Sequence, residues 1–249
     1  MSRRSKRIFK GIAAVIVVIA ISFSGKRFYE ELLNSPLLRI KEIDIQGVKR
    51  ISRDEILELA GIRIGDNILA ASIDDMAVNI RKHPWINTLK IKRRMPDKLV
   101  VEIKERVPAA FINMDELYLI DESGSVFKRA SLEDDLDLPV INAGISKDGV
   151  EDNEKVSSLI IDAVLLIKLL DDREIFGTDD ISEIKVDPVY GLTLYTMDSG
   201  VRVEMGFDNF QKKLERLDRV LKELNGTIKY VKTVDMNYGK RVVVKMANS

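Results

Sequence analysis

The chain has 249 residues, with 40 basic and 40 acidic side chains, and this length can support one large or two small packed cores. Seven basic residues lie within the first 27 positions, so the remainder carries 33 basic against 40 acidic residues. A mildly acidic remainder argues against nucleic-acid binding, which needs a basic face to neutralise phosphates. The absence of cysteine excludes disulfides, thiolate zinc sites and a cysteine nucleophile, and a single histidine excludes multi-histidine metal sites.

The N-terminal sequence has the pattern of a membrane anchor. A basic segment, residues 1–10, precedes an uncharged apolar run at 11–25, and this order predicts that the N-terminus stays in the cytoplasm. With its aromatic and basic flanks the run reaches roughly 33 Å as a helix, which is enough for a hydrocarbon core of about 30 Å. We expect a cytoplasmic basic tail at 1–10, a transmembrane anchor at 11–29 and a connector at 30–36. A cleaved signal peptide is the alternative, and either interpretation places the following residues outside the cytoplasm.

The segment Leu37–Arg106 carries the signals of a complete small domain. Its predicted elements are an extended segment from 37–40 through Ile43 and Ile45, a helix capped by Ser52 and ended by Gly61, a helix from Ser72 to Pro84, and strands Trp85–Arg93 and Lys98–Glu105 around a Met95-Pro96-Asp97 turn. In the last strand Leu99, Val101 and Ile103 face one way, while Lys98, Glu102 and Lys104 face the other. One face of the sheet is therefore expected to pack under the two helices while the other faces water.

The remaining residues alternate strand patterns with two amphipathic helices. The predicted helices are one capped by Asp152 with an apolar stripe at Val156, Leu159, Ala163, Ile167 and Leu170, and one that buries Phe210, Leu214, Leu217, Leu221 and Leu224 before Gly226. The predicted strands are Ile184–Val186, Gly191–Met197, Val201–Met205, Tyr230–Tyr238 and Arg241–Met246, the last two joined by a turn at Gly239-Lys240. Strands joined by short turns predict an α+β domain dominated by antiparallel pairing.

Three motifs accompany these elements in a fixed order. They are His83-Pro84-Trp85-Ile86 after the second helix, Arg94-Met95-Pro96-Asp97-Lys98-Leu99 across the turn, and Glu105-Arg106-Val107-Pro108-Ala109 after the last strand. In this combination the chain resembles the polypeptide-transport-associated (POTRA) domain of the bacterial cell-division family FtsQ, called DivIB in Gram-positive bacteria. Residues 119–127 resemble the family's first hairpin after that domain, and residues 138–141 the segment that follows.

The resemblance implies both an architecture and a role. It implies a POTRA domain at 37–107 and a mainly antiparallel FtsQ-type β domain with two helices at 108–249, carried by one transmembrane helix of the bacterial inner membrane. The implied role is a non-enzymatic scaffold of the cell-division machinery, the divisome, located at the septum with both domains in the periplasm. Its implied partners are FtsB-like and FtsL-like division proteins, and the POTRA domain is implied to contact other divisome membrane proteins.

The last predicted strands form the candidate partner-binding region. An edge strand offers unpaired N–H and C=O groups to a partner segment, and few residues follow these strands to cover them. In the family the last strands receive a strand of FtsB, and Asp235, Tyr238 and Gly239 match its Val-Asp-x-x-Tyr motif and the turn after it. The candidate partner-binding residues are Val234, Asp235, Met236, Asn237, Tyr238, Gly239, Arg241, Val242, Val243 and Val244, with Arg202 on a second candidate contact surface. An ordinary terminal hairpin is the alternative interpretation.

The sequence gives little indication of chemistry. Ser-x-x-Lys patterns begin at Ser125 and Ser182 and match the nucleophile motif of penicillin-binding proteins. Both fall in or beside predicted strands, where residues i and i+3 point to opposite faces, and neither partner motif of that enzyme class occurs. His83 is interpreted as a helix cap. We expect no catalytic, cofactor or metal site, and the alternatives are a POTRA-containing secretion or assembly component and an anchored cell-wall enzyme.

Overall fold

The computed structural model describes residues 19–21, 23–144, 154–171, 173–224, 230–239 and 241–247. The predicted basic tail lies outside these residues, and so do positions 11–18 and 22 of the predicted anchor. No helix within the described part of the chain has the length and apolar content needed to cross a membrane. The chain divides after Glu105 into two compact units.

In the part of the first unit that the structure describes, three helices accompany a three-stranded sheet. The elements are α1 (residues 19–21 and 23–34), β1 (Glu42–Gln46), α2 (Arg53–Ala60), α3 (Ile73–Ile80), β2 (Ile86–Arg94) and β3 (Lys98–Glu105). The strand order is β1-β3-β2, with β1 parallel and β2 antiparallel to the central β3. The predicted helix caps are confirmed, because the Ser52 and Ser72 side chains accept backbone N–H groups and Gly61 ends α2 in the left-handed conformation.

One face of this sheet packs against the helices, as the alternation in β3 predicts. Leu99, Val101 and Ile103 are buried, and so is Trp85, whose ring lies 4.8 Å from the Arg50 guanidinium. The expected cap residue His83 places its side-chain Nε2 3.1 Å from a Glu55 carboxylate oxygen in α2.

One prediction near the start of this unit is wrong. Residues 37–40 do not open a sheet strand, since Pro36–Leu38 form a 3-10 turn and Ile40 N–H donates to Asp66 O at 2.8 Å. The expected connector is helical through residue 34, and the Asn67 side-chain amide donates to the carbonyls of Leu32 and Leu33 at 3.0 and 2.7 Å. The loop between α2 and α3 therefore holds the end of α1 by capping its last carbonyls.

The second unit is built on one nine-stranded sheet. Its elements are β4 (Pro108–Asn113), β5 (Leu117–Asp121), β6 (Val126–Arg129), β7 (Val140–Asn142), α4 (Glu154–Asp171), β8 (Ile181–Asp187), β9 (Gly191–Thr196), β10 (Arg202–Gly206), α5 (Phe210–Glu223), β11 (Val231–Asp235) and β12 (Val243–Met246). The strand order is β12-β11-β10-β9-β8-β7-β4-β5-β6. Five of its eight strand pairings are antiparallel, which agrees with the predicted α+β class.

The core of the second unit lies between the sheet and its two helices. The predicted apolar stripe of α4 is buried in full, and four of the five predicted positions of α5 are buried as well. The fifth, Leu224, is partly buried and follows the helix end. The predicted cap Asp152 and the predicted terminator Gly226 lie outside the described residues. The strand β4 was not predicted, and only its first two residues, Pro108 and Ala109, were part of a motif.

Candidate partner-binding edge

The strand β12 is one of the two edges of the nine-stranded sheet. It pairs with β11 in antiparallel register, with Asp235 opposite Val243 and Val234 opposite Val244. Ala247 N–H donates to Tyr230 O at 2.8 Å, so Ala247 points toward β11. Because strand residues alternate in direction, the backbone N–H and C=O groups of Val244 and Met246 then point away from β11. No other strand among the described residues pairs with β12, so these groups are available to a partner strand.

The side chains of β12 make this edge partly apolar. Val243 is 48% exposed and Met246 51% exposed. Val242 and Val244 are half-buried and pack against the core on the face that carries the helices. A strand added beside β12 would extend both the backbone ladder and this apolar face.

The sequence-predicted site residues do not form the hairpin expected of them. The strands are shorter than predicted, because the register leaves residues 236–242 between them. A turn does lie where it was predicted, since Arg241 N–H donates to Tyr238 O at 2.8 Å, but neither strand extends to it. Of the candidates, Val234 and Asp235 lie in β11, Val243 and Val244 lie in β12, and Met236, Asn237, Tyr238, Gly239, Arg241 and Val242 lie between the two strands. Tyr238 is 60% exposed, so its ring is accessible to a partner.

Met236 explains why β11 ends early. Its side chain is fully buried, and its N–H donates to Glu204 O at 3.0 Å, which continues the contact with β10. Asn237 then approaches the end of β10 so closely that a Cβ on Gly206 would lie 2.2 Å from its Oδ1. Gly206 also has a φ of +65°, so a glycine is required there for two reasons. The pairing of β11 with β12 therefore ends before the turn.

Two basic residues of α5 hold the connection in place. The ammonium group of Lys213, a buried residue, donates to Met205 O at 2.7 Å and lies 3.4 Å from Asn237 Oδ1. The Arg216 guanidinium donates to the carbonyls of Gly239 and Met236. We define residues 236–239 as the clamped loop, since these contacts fix it against α5.

Neither basic residue was identified from the sequence. A signal exists for Lys213, because it follows Phe210 by three positions and precedes Leu214 and Leu217 on the buried side of α5. A lysine inside an apolar stripe must find acceptors for its ammonium group, so it predicts a polar contact beneath the helix. For Arg216 we find no sequence signal, because its acceptors are backbone carbonyls far along the chain.

The second candidate surface lies on the sheet face opposite the helices. Arg202 in β10 is exposed and forms an ion pair of 3.0 Å with Glu204, which lies beside Asp235 in the parallel register. Burial and then the Asp235 carboxylate raise the pKa of Glu204 above its ordinary value, against the opposing effect of Arg202. Arg202 and Glu204 line a polar cleft of about 380 Å³ together with Tyr190 and Tyr195.

Comparisons with known proteins match both units. A model described as "POTRA domain, FtsQ-type" matches residues 38–106, and one described as "Cell division protein FtsQ/DivIB, C-terminal" matches residues 110–237. Cell division protein FtsQ of Syntrophotalea carbinolica is 36% identical over 236 residues, covering 94% of this chain and 82% of that protein. The chain belongs to the FtsQ/DivIB family of cell-division proteins.

Further relatives of the FtsQ/DivIB family extend over a similar length. Cell division protein FtsQ of Geotalea daltonii is 34% identical over 96% of this chain and 87% of its own. Cell division protein DivIB of Clostridium botulinum is 26% identical over 89% of this chain and 85% of its own. The match to the FtsQ/DivIB C-terminal model includes β11 and the start of the clamped loop and stops before β12.

Proposed function

We propose that this FtsQ/DivIB-family chain is a non-catalytic scaffold of the divisome that binds an FtsB-like and FtsL-like complex by β-strand addition at β12. The observation that carries the proposal is the position of β12 at the edge of the sheet, with outward backbone groups and two half-exposed apolar side chains. Backbone pairing supplies affinity in this mode, and the side chains beside the strand supply selectivity.

The contact residues follow from this geometry. Val242, Val243 and Val244 lie next to the added strand, while Tyr238 and Arg241 lie in the connection before β12. Met236 and Asn237 act indirectly, since Met236 is buried and Asn237 is held by Lys213. Arg202 lies on the opposite sheet face and would contact a part of the partner that folds over that face.

We also propose that the chain is anchored once in the inner membrane, with a cytoplasmic N-terminus and both units in the periplasm at the division septum. The basic segment before the apolar run at 11–25 supports this topology. Its test is the N-terminal sequence of the protein isolated from membranes. A mature N-terminus near residue 25 would contradict the anchor.

The test of strand addition is a Val244→Pro substitution in the full chain. Proline removes the outward N–H of residue 244 but no bond to β11, so the fold is expected to survive. The probe is a peptide of the periplasmic segment of the FtsB-like protein from the same genome, titrated by isothermal calorimetry. We expect Val244→Pro to weaken binding by about tenfold or more, which corresponds to losing at least one well-formed backbone hydrogen bond.

The matched control is Val244→Thr, which keeps the β-branched shape and the backbone N–H. We expect this variant to bind within about threefold of the original chain. Tyr238→Ala tests the side-chain contribution and is expected to weaken binding without lowering stability, because the ring is exposed. Unchanged binding by Val244→Pro in a folded protein would rule out addition at β12.

A further inference from the structure

A basic groove lies beside the clamped loop, on the surface of α5. It has a volume of about 650 Å³ and is bounded by Lys212, Arg216 and Arg219 on the helix side and by Met236, Asn237 and Gly239 on the loop side. The three basic residues occupy positions i, i+4 and i+7, so they form one ridge along the helix. We call this feature the basic groove.

The basic residues of the groove differ in whether their side chains already have hydrogen-bond or ion-pair partners. Arg216 donates to loop carbonyls, and Lys213, at the base of the groove, is buried among its own acceptors. Lys212 and Arg219 are exposed, and neither forms an ion pair with any residue that the structure describes. Two cations are therefore free to bind an anionic group.

Acidic residues at the groove do not neutralise it. Asp208 lies 3.4 Å from the Lys213 ammonium, and Glu215 is the other carboxylate of the lining. Four basic residues thus face two acidic ones in this groove, while the chain as a whole is neutral. A local excess of positive charge on a neutral protein favours an acidic partner.

The groove lies beside the loop that follows β11, the strand paired with the open edge. The register places Val243, the first residue of β12, opposite Asp235, the last residue of β11, and the clamped loop begins directly after Asp235. A partner segment that pairs with β12 and continues past Val243 would therefore run toward the loop and the groove beside it. Its flanking side chains would meet Lys212 and Arg219.

We propose that the basic groove binds acidic side chains, Asp or Glu, that flank the strand-forming part of the partner segment at β12. This inference rests on the proposed function, because it assigns a role to residues beside the same edge. Backbone pairing at β12 can accept many sequences, whereas ion pairs at the groove select for a segment with acidic flanks. The groove would also fix the position of that segment along the strand.

The test uses the double variant Lys212→Glu/Arg219→Glu in the full chain, titrated with the same FtsB-like peptide at low and high salt. Arg216 is left unchanged because it holds the clamped loop. We expect binding about tenfold weaker at low salt and a smaller loss at high salt, where exposed ion pairs are screened. A peptide whose flanking acidic residues are replaced by Gln or Asn should bind the original chain and the double variant equally.

The matched control is Lys168→Glu, which reverses an exposed lysine on the other helix of the unit. It should leave the affinity within about twofold. If the double variant binds as tightly as the original chain at both salt concentrations while Val244→Pro still weakens binding, the groove inference is wrong and the proposed function stands. If Val244→Pro also binds normally, both are wrong.

Discussion

The two edge strands of the nine-stranded sheet, β6 and β12, have equal lengths but differ in the charge and exposure of their side chains. The strand β6 carries Lys128 and Arg129, and both are ion-paired, Lys128 with Asp134 and Arg129 with Glu116. The strand β12 carries one lysine and exposes Val243 and Met246. Charged residues on an edge strand discourage pairing with another chain. The sheet therefore has one protected edge and one open edge, and the open edge is where we place the partner.

The protected edge is stabilised from within the chain. The Asp121 side chain, 6% exposed, accepts from Arg106, from the Ser123 N–H and hydroxyl at 3.0 and 2.5 Å, and from the Ser125 N–H at 3.1 Å. These bonds fix the turn between β5 and β6. Arg106 in addition lies 5.6 Å from the Phe127 ring of β6. Contacts within the chain therefore hold this edge in place without another molecule.

The largest effect is expected from Asp121→Ala at the protected edge. The substitution leaves a partly buried arginine and two backbone N–H groups without their acceptor, so the free energy of unfolding of the second unit should fall by about 2–4 kcal/mol. Urea denaturation followed by circular dichroism measures this change. Affinity for the FtsB-like peptide at β12 should stay the same in the folded protein. A loss of affinity without a loss of stability would contradict the division of roles between the two edges.

The contribution of Asp121 to the free energy of unfolding should also depend on pH. Burial alone would raise the pKa of this carboxyl, but the hydrogen bonds from Ser123, Ser125 and Arg106 outweigh it and hold the pKa below its ordinary value. A lowered pKa in the folded state means that the stabilisation is present above the unfolded pKa of about 3.9 and is lost as the pH falls through the folded pKa. The difference between the original chain and Asp121→Ala should therefore shrink in acid.

A smaller effect is expected from Lys213→Met beneath the open edge. Methionine fills a similar volume but cannot donate to Met205 O, so we expect a loss of about 1–3 kcal/mol in unfolding free energy. Because Lys213 also contacts Asn237 in the clamped loop, affinity for the peptide should fall as well. Calorimetry and urea denaturation on the same samples separate the two effects. Lost stability with unchanged affinity would show that the loop does not position β12.

The comparison of the edges also shows what the sequence can and cannot reveal. The helices α2 and α3 were predicted within a few residues because Ser52, Ser72 and Gly61 are local signals that act on adjacent backbone groups. The strand β3 was predicted with its exact bounds from its alternation. Both kinds of signal are contained in a short window of sequence.

The open edge could not be predicted in the same way because its geometry depends on distant contacts. Local sequence around Gly239 favours a tight hairpin, but Met236 is held by β10, and Arg216 holds the loop carbonyls from α5. The parallel pairing of β10 with β11 likewise joins strands separated by a helix. Candidate residues for this edge could therefore be proposed from the sequence, while the shape of the connection and the basic groove beside it could not.

The smallest effect is expected from Glu204→Gln on the sheet face behind the open edge. Because the folded pKa of Glu204 is raised, ionisation of this carboxyl costs stability, and the cost grows as the pH rises from the unfolded pKa of about 4.3 through the folded pKa. Glutamine removes the charge beside Asp235, so the variant should unfold at a slightly higher temperature at pH 7 and at the same temperature below pH 4. Thermal unfolding at several pH values measures this difference, with the exposed Glu122→Gln as control. If Glu204→Gln instead lowers the unfolding temperature at pH 7, the ion pair with Arg202 outweighs repulsion from Asp235, and this face presents a neutralised carboxylate to a partner.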